Sequence, residues 1–222
     1  PNIRFYAGQP LRAPGGANIG SFCVIDRQPR EFGDEDRALL ADLATLVERE
    51  LSLLLEATQD PLTGLYNRRG LNDVAQHVIA LCARSGSRAT VATIDLDNFK
   101  QINDRHGHEE GDRVLQWFAR TLLKHFRRSD VIARLGGDEF CILAPLIAAD
   151  GLRASVARVT TAYQQSDLAA RHPDFSWSVG IREIRCEPDT QLDEVLRLAD
   201  QQMYADKQAR QQKPARPSGK RG

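Results

Sequence analysis

The chain has 222 residues, 41% hydrophobic and 27% charged, with 30 Lys and Arg against 30 Asp and Glu. That is an ordinary globular composition, and a formal net charge of zero removes the basic excess that bulk nucleic-acid binding needs. No apolar run reaches the roughly 20 residues of a membrane-spanning helix, and Cys23, Cys82, Cys141 and Cys186 form no CxxC pair, so they read as reduced thiols of a cytoplasmic protein.

The chain opens on Pro1 rather than Met and reads as a piece of a longer protein. Residues 1–33 carry short alternating segments around a PGG turn, the pattern of a hairpin. A hairpin alone cannot bury a core, so this segment is expected to finish a larger domain or to pack on something else. Residues 34–58 read as one helix, with Asp34 as N-cap and Glu35 and Asp36 in the first turn. Leu40, Ala44, Val47, Leu51, Leu54 and Thr58 alternate in steps of four and three, as a coiled-coil seam does. Leu39, Leu43, Leu46 and Leu53 form a second stripe, so the helix should meet more than one neighbour. Both a core helix and a dimerising connector fit.

"DPLTGLYNRRG" (60–70) is a turn-rich break, followed by a helix to about Arg84. "ATVATIDLD" (89–97) is small, β-branched and continuous, as a central buried strand is, and it ends in acid. Then come a short helix near 99–105, a "HGHEEGD" loop, a helix to His125 and a hairpin of "VIARL" and "EFCILAP". Residues 150–170 read as helix, "FSWSVGIREI" as strand and 192–210 as helix. This order predicts an α+β fold, with helices covering a mainly antiparallel sheet. The tail at 213–222 has four basic residues and no acids, and reads as disordered.

Asp95 and Asp97 close the central strand, and Asp138 and Glu139 sit at the hairpin turn. If the two meet, their charges repel, and a hard divalent cation with oxygen ligands removes the conflict. Acids at a strand end beside a hairpin acid are what phosphoryl-transfer chemistry on nucleotides uses. Solvated turn acids are the plainer alternative. Gly136 and Gly137 fit a tight turn that needs positive φ, and equally a close approach by a nucleotide.

"RLGGDEF", "DPLTGLYNRRG", "DLDNFKQINDRHGHEEGD" and "DQQMYADK" together resemble the GGDEF-domain diguanylate cyclases over residues 59–212. The resemblance implies a nucleotidyl-cyclase palm, ferredoxin-like in topology, that makes cyclic di-GMP from two GTP with two Mg²⁺ or Mn²⁺ ions. Carried over by position, Asp95, the Leu96 carbonyl and Asp138 resemble metal ligands. Asp138 is also the acid beside the attacking 3′-hydroxyl, and Glu139 is the second signature acid. Lys100 would contact triphosphate. Asn103 and Asp112 resemble the guanine pair, with His108 beside them, and Lys207 resembles a phosphate-binding lysine. The family commonly adds an arginine four residues after that lysine, where this chain has Gln211, with Arg210 one position earlier. Arg127 and Asp130 form an RxxD that resembles the product-inhibition site, with Arg158 as helper. A surface ion pair is the other reading of that motif.

The implied reaction needs two GTP-bearing domains face to face, hence a homodimer, which favours residues 34–58 as a dimer helix. Residues 1–33 resemble the end of a GAF sensory domain. The competing class is a non-catalytic receptor for GTP or cyclic di-GMP.

Overall fold

The computed structural model describes residues 2–13 and 15–211, the side chains of 206 and 209–211 excepted. The tail at 213–222 lies outside the described residues. The chain divides into two compact units, residues 1–57 and 58–222.

The first unit is a two-stranded antiparallel hairpin followed by a helix. β1 (Phe5–Arg12) and β2 (Asn18–Asp26) pair from Phe5↔Asp26 onward, and Gly16 takes the positive φ (80°) of the connecting turn. Alternate residues of β1 are half-buried and exposed, the period of a strand covered on one face. Helix α1 (Asp34–Thr58) follows as expected, but Asp34 is its first helical residue rather than its cap. The Asp36 carboxylate accepts from the Gly33 N–H at 3.0 Å, the reach-back half of a capping box. Leu40 and Ala44, from the expected seam, are the buried residues of α1. The second stripe, Leu39, Leu43, Leu46 and Leu53, is 41–60% exposed. Leu54, near the end of the seam, is 58% exposed as well, so the open apolar surface takes in the second stripe and runs onto the adjoining carboxyl-terminal part of the seam.

The second unit is built on a four-stranded sheet of order β4-β5-β3-β6, every pair antiparallel. Its elements run α2 (Arg68–Arg84), β3 (Arg88–Asp97), α3 (Phe99–His106), α4 (His108–His125), β4 (Val131–Gly136), β5 (Glu139–Pro145), α5 (Ala149–Gln164), α6 (Asp167–Arg171), β6 (Ser176–Arg185) and α7 (Leu192–Gln211). The β3-to-β6 part is the βαββαβ order of the ferredoxin-like palm, as expected, with β3 an inner strand. One expectation needs correcting: "HGHEEGD" is not a loop. α4 begins at His108, because Gly107 (φ 86°) makes the whole reversal and Glu109 and Glu110 suit the positive end of a helix.

Period-two alternation along β3 sorts its side chains onto two cores. Ala92, Ile94 and Leu96 join Phe140, Ile142, Val114, Leu115 and Phe118 on one face. Phe118 meets Phe140 and Trp177 edge-on, at 5.0 and 5.1 Å between ring centres. Ala89 and Val91 join Cys141 and Leu143, with Leu71, Ala75 and Ile79 of α2 and Val195 and Leu196 of α7, on the other. Asp95 has the parity of Val91, so it emerges at the strand's carboxyl end on the α2/α7 face. α7 lies tight on β6 because Gly180 leaves it room; a Cβ there would stand 1.9 Å from the Ala199 carbonyl. Two further turns of α7 bring Lys207 over the end of β3.

Candidate active site

The sheet register brings the separated acids together. Asp95 pairs directly with Glu139 across β3 and β5. One step on, the Leu96 N–H donates to the Asp138 carbonyl at 3.1 Å. In an antiparallel strand, a residue's N–H and C=O point to the same neighbour. The Leu96 carbonyl therefore faces the hairpin turn too. β4 and β5 close with Gly136 opposite Glu139, so the turn's central residues are Gly137 and Asp138. Gly136 (φ 155°) and Gly137 (φ 45°) both occupy backbone that other residues avoid, and a Cβ on either would meet nothing within 4 Å. The glycines are thus required by the turn, and the space above them is open.

Without a cation, these acids are frustrated. Burial raises the Asp138 carboxyl above its usual range, and the charge of Asp95 adds to the shift. Glu139 is raised by burial, then by Asp200, Asp95 and Asp138. Lys207 answers part of this field: its Nζ donates to Asp95 Oδ1 at 2.5 Å and lies 4.0 Å from Asp97 Oδ1. The Asp95 hydrogen bond in turn raises the lysine. Asp97 is held otherwise, accepting from Ser176 Oγ and Ser178 Oγ at 2.8 Å each. Among the described residues, no three His, Cys, Asp or Glu side chains converge on one metal position. A Mg²⁺ ion does not need three, since one or two carboxylates with waters and substrate phosphates suffice. Asp95, Asp138 and the Leu96 carbonyl would make such a donor set, and a divalent cation there would relieve the raised acids.

Beside this edge, α3 and α4 carry the expected base-binding residues. Asn103 lies directly across Gly111, where a Cβ would stand 1.9 Å from Asn103 Oδ1. This brings Asn103 next to Asp112, which is exposed on the first turns of α4. His108 is exposed at the start of α4, and Lys100 is exposed in the first turn of α3, while Phe99 is buried packing. The side chains of Arg210 and Gln211 lie outside the described residues.

A second constellation lies at the end of α4. Asp130 Oδ2 accepts from the Arg127 N–H at 2.8 Å, while Asp130 Oδ1 is buried with no hydrogen-bond partner among the described residues. Burial raises this carboxyl. Arg127 and Asp130 line a cavity of about 310 Å³ together with Tyr66, Leu123 and Arg128. Arg158 does not line it; its Nη2 donates to the His125 carbonyl (3.0 Å) and Ser155 Oγ (2.9 Å).

Sequence reasoning missed the residue that supports the turn. Arg134 Nη1 donates to both oxygens of Asp60 at 3.1 Å, while Nε and Nη2 donate to the Gly137 carbonyl at 3.0 and 2.8 Å. Asp60 also accepts from the Thr63 N–H (2.9 Å) and Oγ1 (2.6 Å). Residues 58–67 are welded to β4 through Tyr66, whose N–H donates to Ile132 and whose carbonyl accepts from Arg134 N. The Asp60–Thr63 turn was legible as an Asx-type signal, but its pairing to Arg134 was not.

An antiparallel βαββαβ sheet with carboxylates at one inner-strand end and an adjoining hairpin turn is the architecture of a nucleotidyl-cyclase palm. Residues 57–213 match the family described as "Diguanylate cyclase, GGDEF domain", and the chain belongs to that family. It is 30% identical over 96% of its length to the diguanylate cyclase DgcP of Escherichia coli, spanning 67% of that protein. It is also 30% identical, over 86% of its length, to DgcP of Pseudomonas aeruginosa, spanning 30% of it. The coiled coil and GGDEF domain of DgcB from Caulobacter crescentus, solved in complex with c-di-GMP, superposes with a TM-score of 0.66 at 28% identity, covering 78% of this chain and 94% of that one.

Proposed function

We propose that this chain is a working diguanylate cyclase, joining two GTP into cyclic di-GMP with release of two pyrophosphates. The observation that carries the reading is the intact acid edge: Asp95 opposite Glu139, Asp138 raised by burial, and the Leu96 carbonyl turned to the same side. Bound there by Asp95, Asp138 and the Leu96 carbonyl, two Mg²⁺ or Mn²⁺ ions would supply Lewis-acid activation of the 3′-hydroxyl and neutralise charge on the leaving group. Asp138 would accept the proton of the attacking hydroxyl, with Glu139 beside it. Lys207, paired with Asp95 in this structure, would contact the phosphates in the loaded site, and Lys100 would approach them from α3. Gly136 and Gly137 leave room for the triphosphate.

Asn103 and Asp112 select guanine, because one carboxylate accepts from its N1–H and exocyclic amine together, a pair adenine lacks. His108 borders this subsite. Each bond forms between a GTP on one domain and a GTP on another, so two copies face each other in a homodimer, with α1 as connector and residues 1–33 as the end of a GAF-like sensory domain. Asp130 and Arg127 line one cavity, and a carboxylate beside a guanidinium suits the N–H donors and acceptor edge of a guanine, which makes this the place for product feedback. Wild type and Asp138→Ala, incubated with GTP and Mg²⁺, test the reading. Metal-dependent GTP consumption by wild type, lost with chelator and in the variant, supports it. GTP binding without consumption by the dimeric wild type replaces it with the receptor reading.

A further inference from the structure

His172 touches both helices that carry the guanine residues, and does so where they join. Its Nε2 meets Glu110 Oε1 at 2.9 Å in the first turn of α4, and its ring stands edge-on to that of His106, the last residue of α3, 5.0 Å between centres. The histidine is itself fixed: it is 7% exposed, and its carbonyl accepts from the Tyr163 hydroxyl. Glu110 is 8% exposed and takes all its partners from two places, Arg113 on its own helix (3.1 Å) and Arg171 with His172 before β6. The His172 hydrogen bond comes first among the causes that hold its carboxyl below the ordinary range against burial. A carboxylate withdrawn from water in a helix's first turn is costly unless fully bonded. The hydrogen bonds reach α4 through Glu110 and the ring contact reaches α3 through His106, so the segment before β6 touches both sides of the turn at Gly107, between Asn103 and Asp112.

We infer that Glu110 and His172 are positioning residues for guanine recognition: they staple the α3–α4 corner to the segment before β6 and so fix the spacing of Asn103 and Asp112. The inference rests on the guanine-site reading above. Neither residue reaches the acid edge, so the staple acts on nucleotide binding and selectivity, not on the chemical step.

The test uses the whole chain, with GTP and with inosine triphosphate, which lacks the exocyclic amine. Glu110→Gln and His172→Gln should raise KM for GTP about tenfold with kcat within about twofold, and cut the preference for GTP over inosine triphosphate to about a third or less. Titration calorimetry should show the same loss of preference in Kd. Arg171→Gln, at a half-exposed position, should fold normally and shift the preference the same way by about twofold; it decides the matter if the other two variants fail to fold. A wild type without preference for GTP sinks the guanine-site reading itself. A wild type with the preference, in variants that keep it while only their melting temperature falls, overturns the staple and leaves a structural ion pair.

Discussion

Replacing Asp60 by Asn keeps the shape of the side chain and removes the charge that Arg134 grips through both carboxylate oxygens. The pair is mostly buried, with side-chain exposures of 13% for Arg134 and 18% for Asp60. Breaking a buried pair by removing one partner costs about 3–5 kcal/mol, and the residual exposure lowers that to about 2–3 kcal/mol here. Burial alone would raise the Asp60 carboxyl, but the hydrogen bonds from Thr63 and Arg134 outweigh it and hold the group below the usual carboxylate value. An acid lowered on folding contributes its stability above its unfolded value and loses it as pH falls through the folded value. Urea unfolding of wild type and Asp60→Asn should therefore differ by about 2–3 kcal/mol at pH 7, with the gap closing as pH falls from the usual carboxylate range through the lowered value of folded Asp60. Arg134→Ala should lose more activity than Asp60→Asn, because it also strips both donors from the Gly137 carbonyl under the catalytic turn. A gap below about 0.5 kcal/mol at pH 7, or one that does not change with pH, would refute the assignment.

The acid edge should trade stability for function. Asp138 is raised on folding, so its ionised form opposes folding above that raised value and the penalty disappears in acid. Asp138→Asn should abolish turnover yet stabilise the metal-free chain by about 0.5–1 kcal/mol at pH 7, read by urea unfolding; a destabilised variant would contradict the frustrated-acid description. On α1, Leu43→Asp with Leu46→Asp should lower the dimer fraction by sedimentation without loss of helix, whereas Leu40→Asp, at a buried position, should lower the melting temperature; the reverse pattern would restore the other stripe as the seam.

Much of this was legible in the sequence because it is periodic or local. The run "ATVATIDLD" gave an inner strand whose last acids had to lie at a sheet edge, and the Gly-Gly step gave the hairpin. The start of α4 was misread because glycine and two histidines suggested a loop, while the two glutamates of a helix's first turn carried the stronger signal. On α1 the two stripes could not be ranked from the sequence, and the fold covers only Leu40 and Ala44 at the start of the seam. Arg134, Gly111 and Gly70 escaped because their reasons lie across the fold: a carboxylate 74 residues away, the Asn103 amide, and the Thr58 carbonyl 2.1 Å from where a Gly70 Cβ would stand.

The central claim is met most directly by identifying what the wild-type chain makes from GTP and Mg²⁺. The acid edge, with the homodimer proposed above, predicts a cyclic dinucleotide of guanosine with two pyrophosphates released per molecule. Unchanged GTP, or a cyclic mononucleotide with one pyrophosphate, would contradict it.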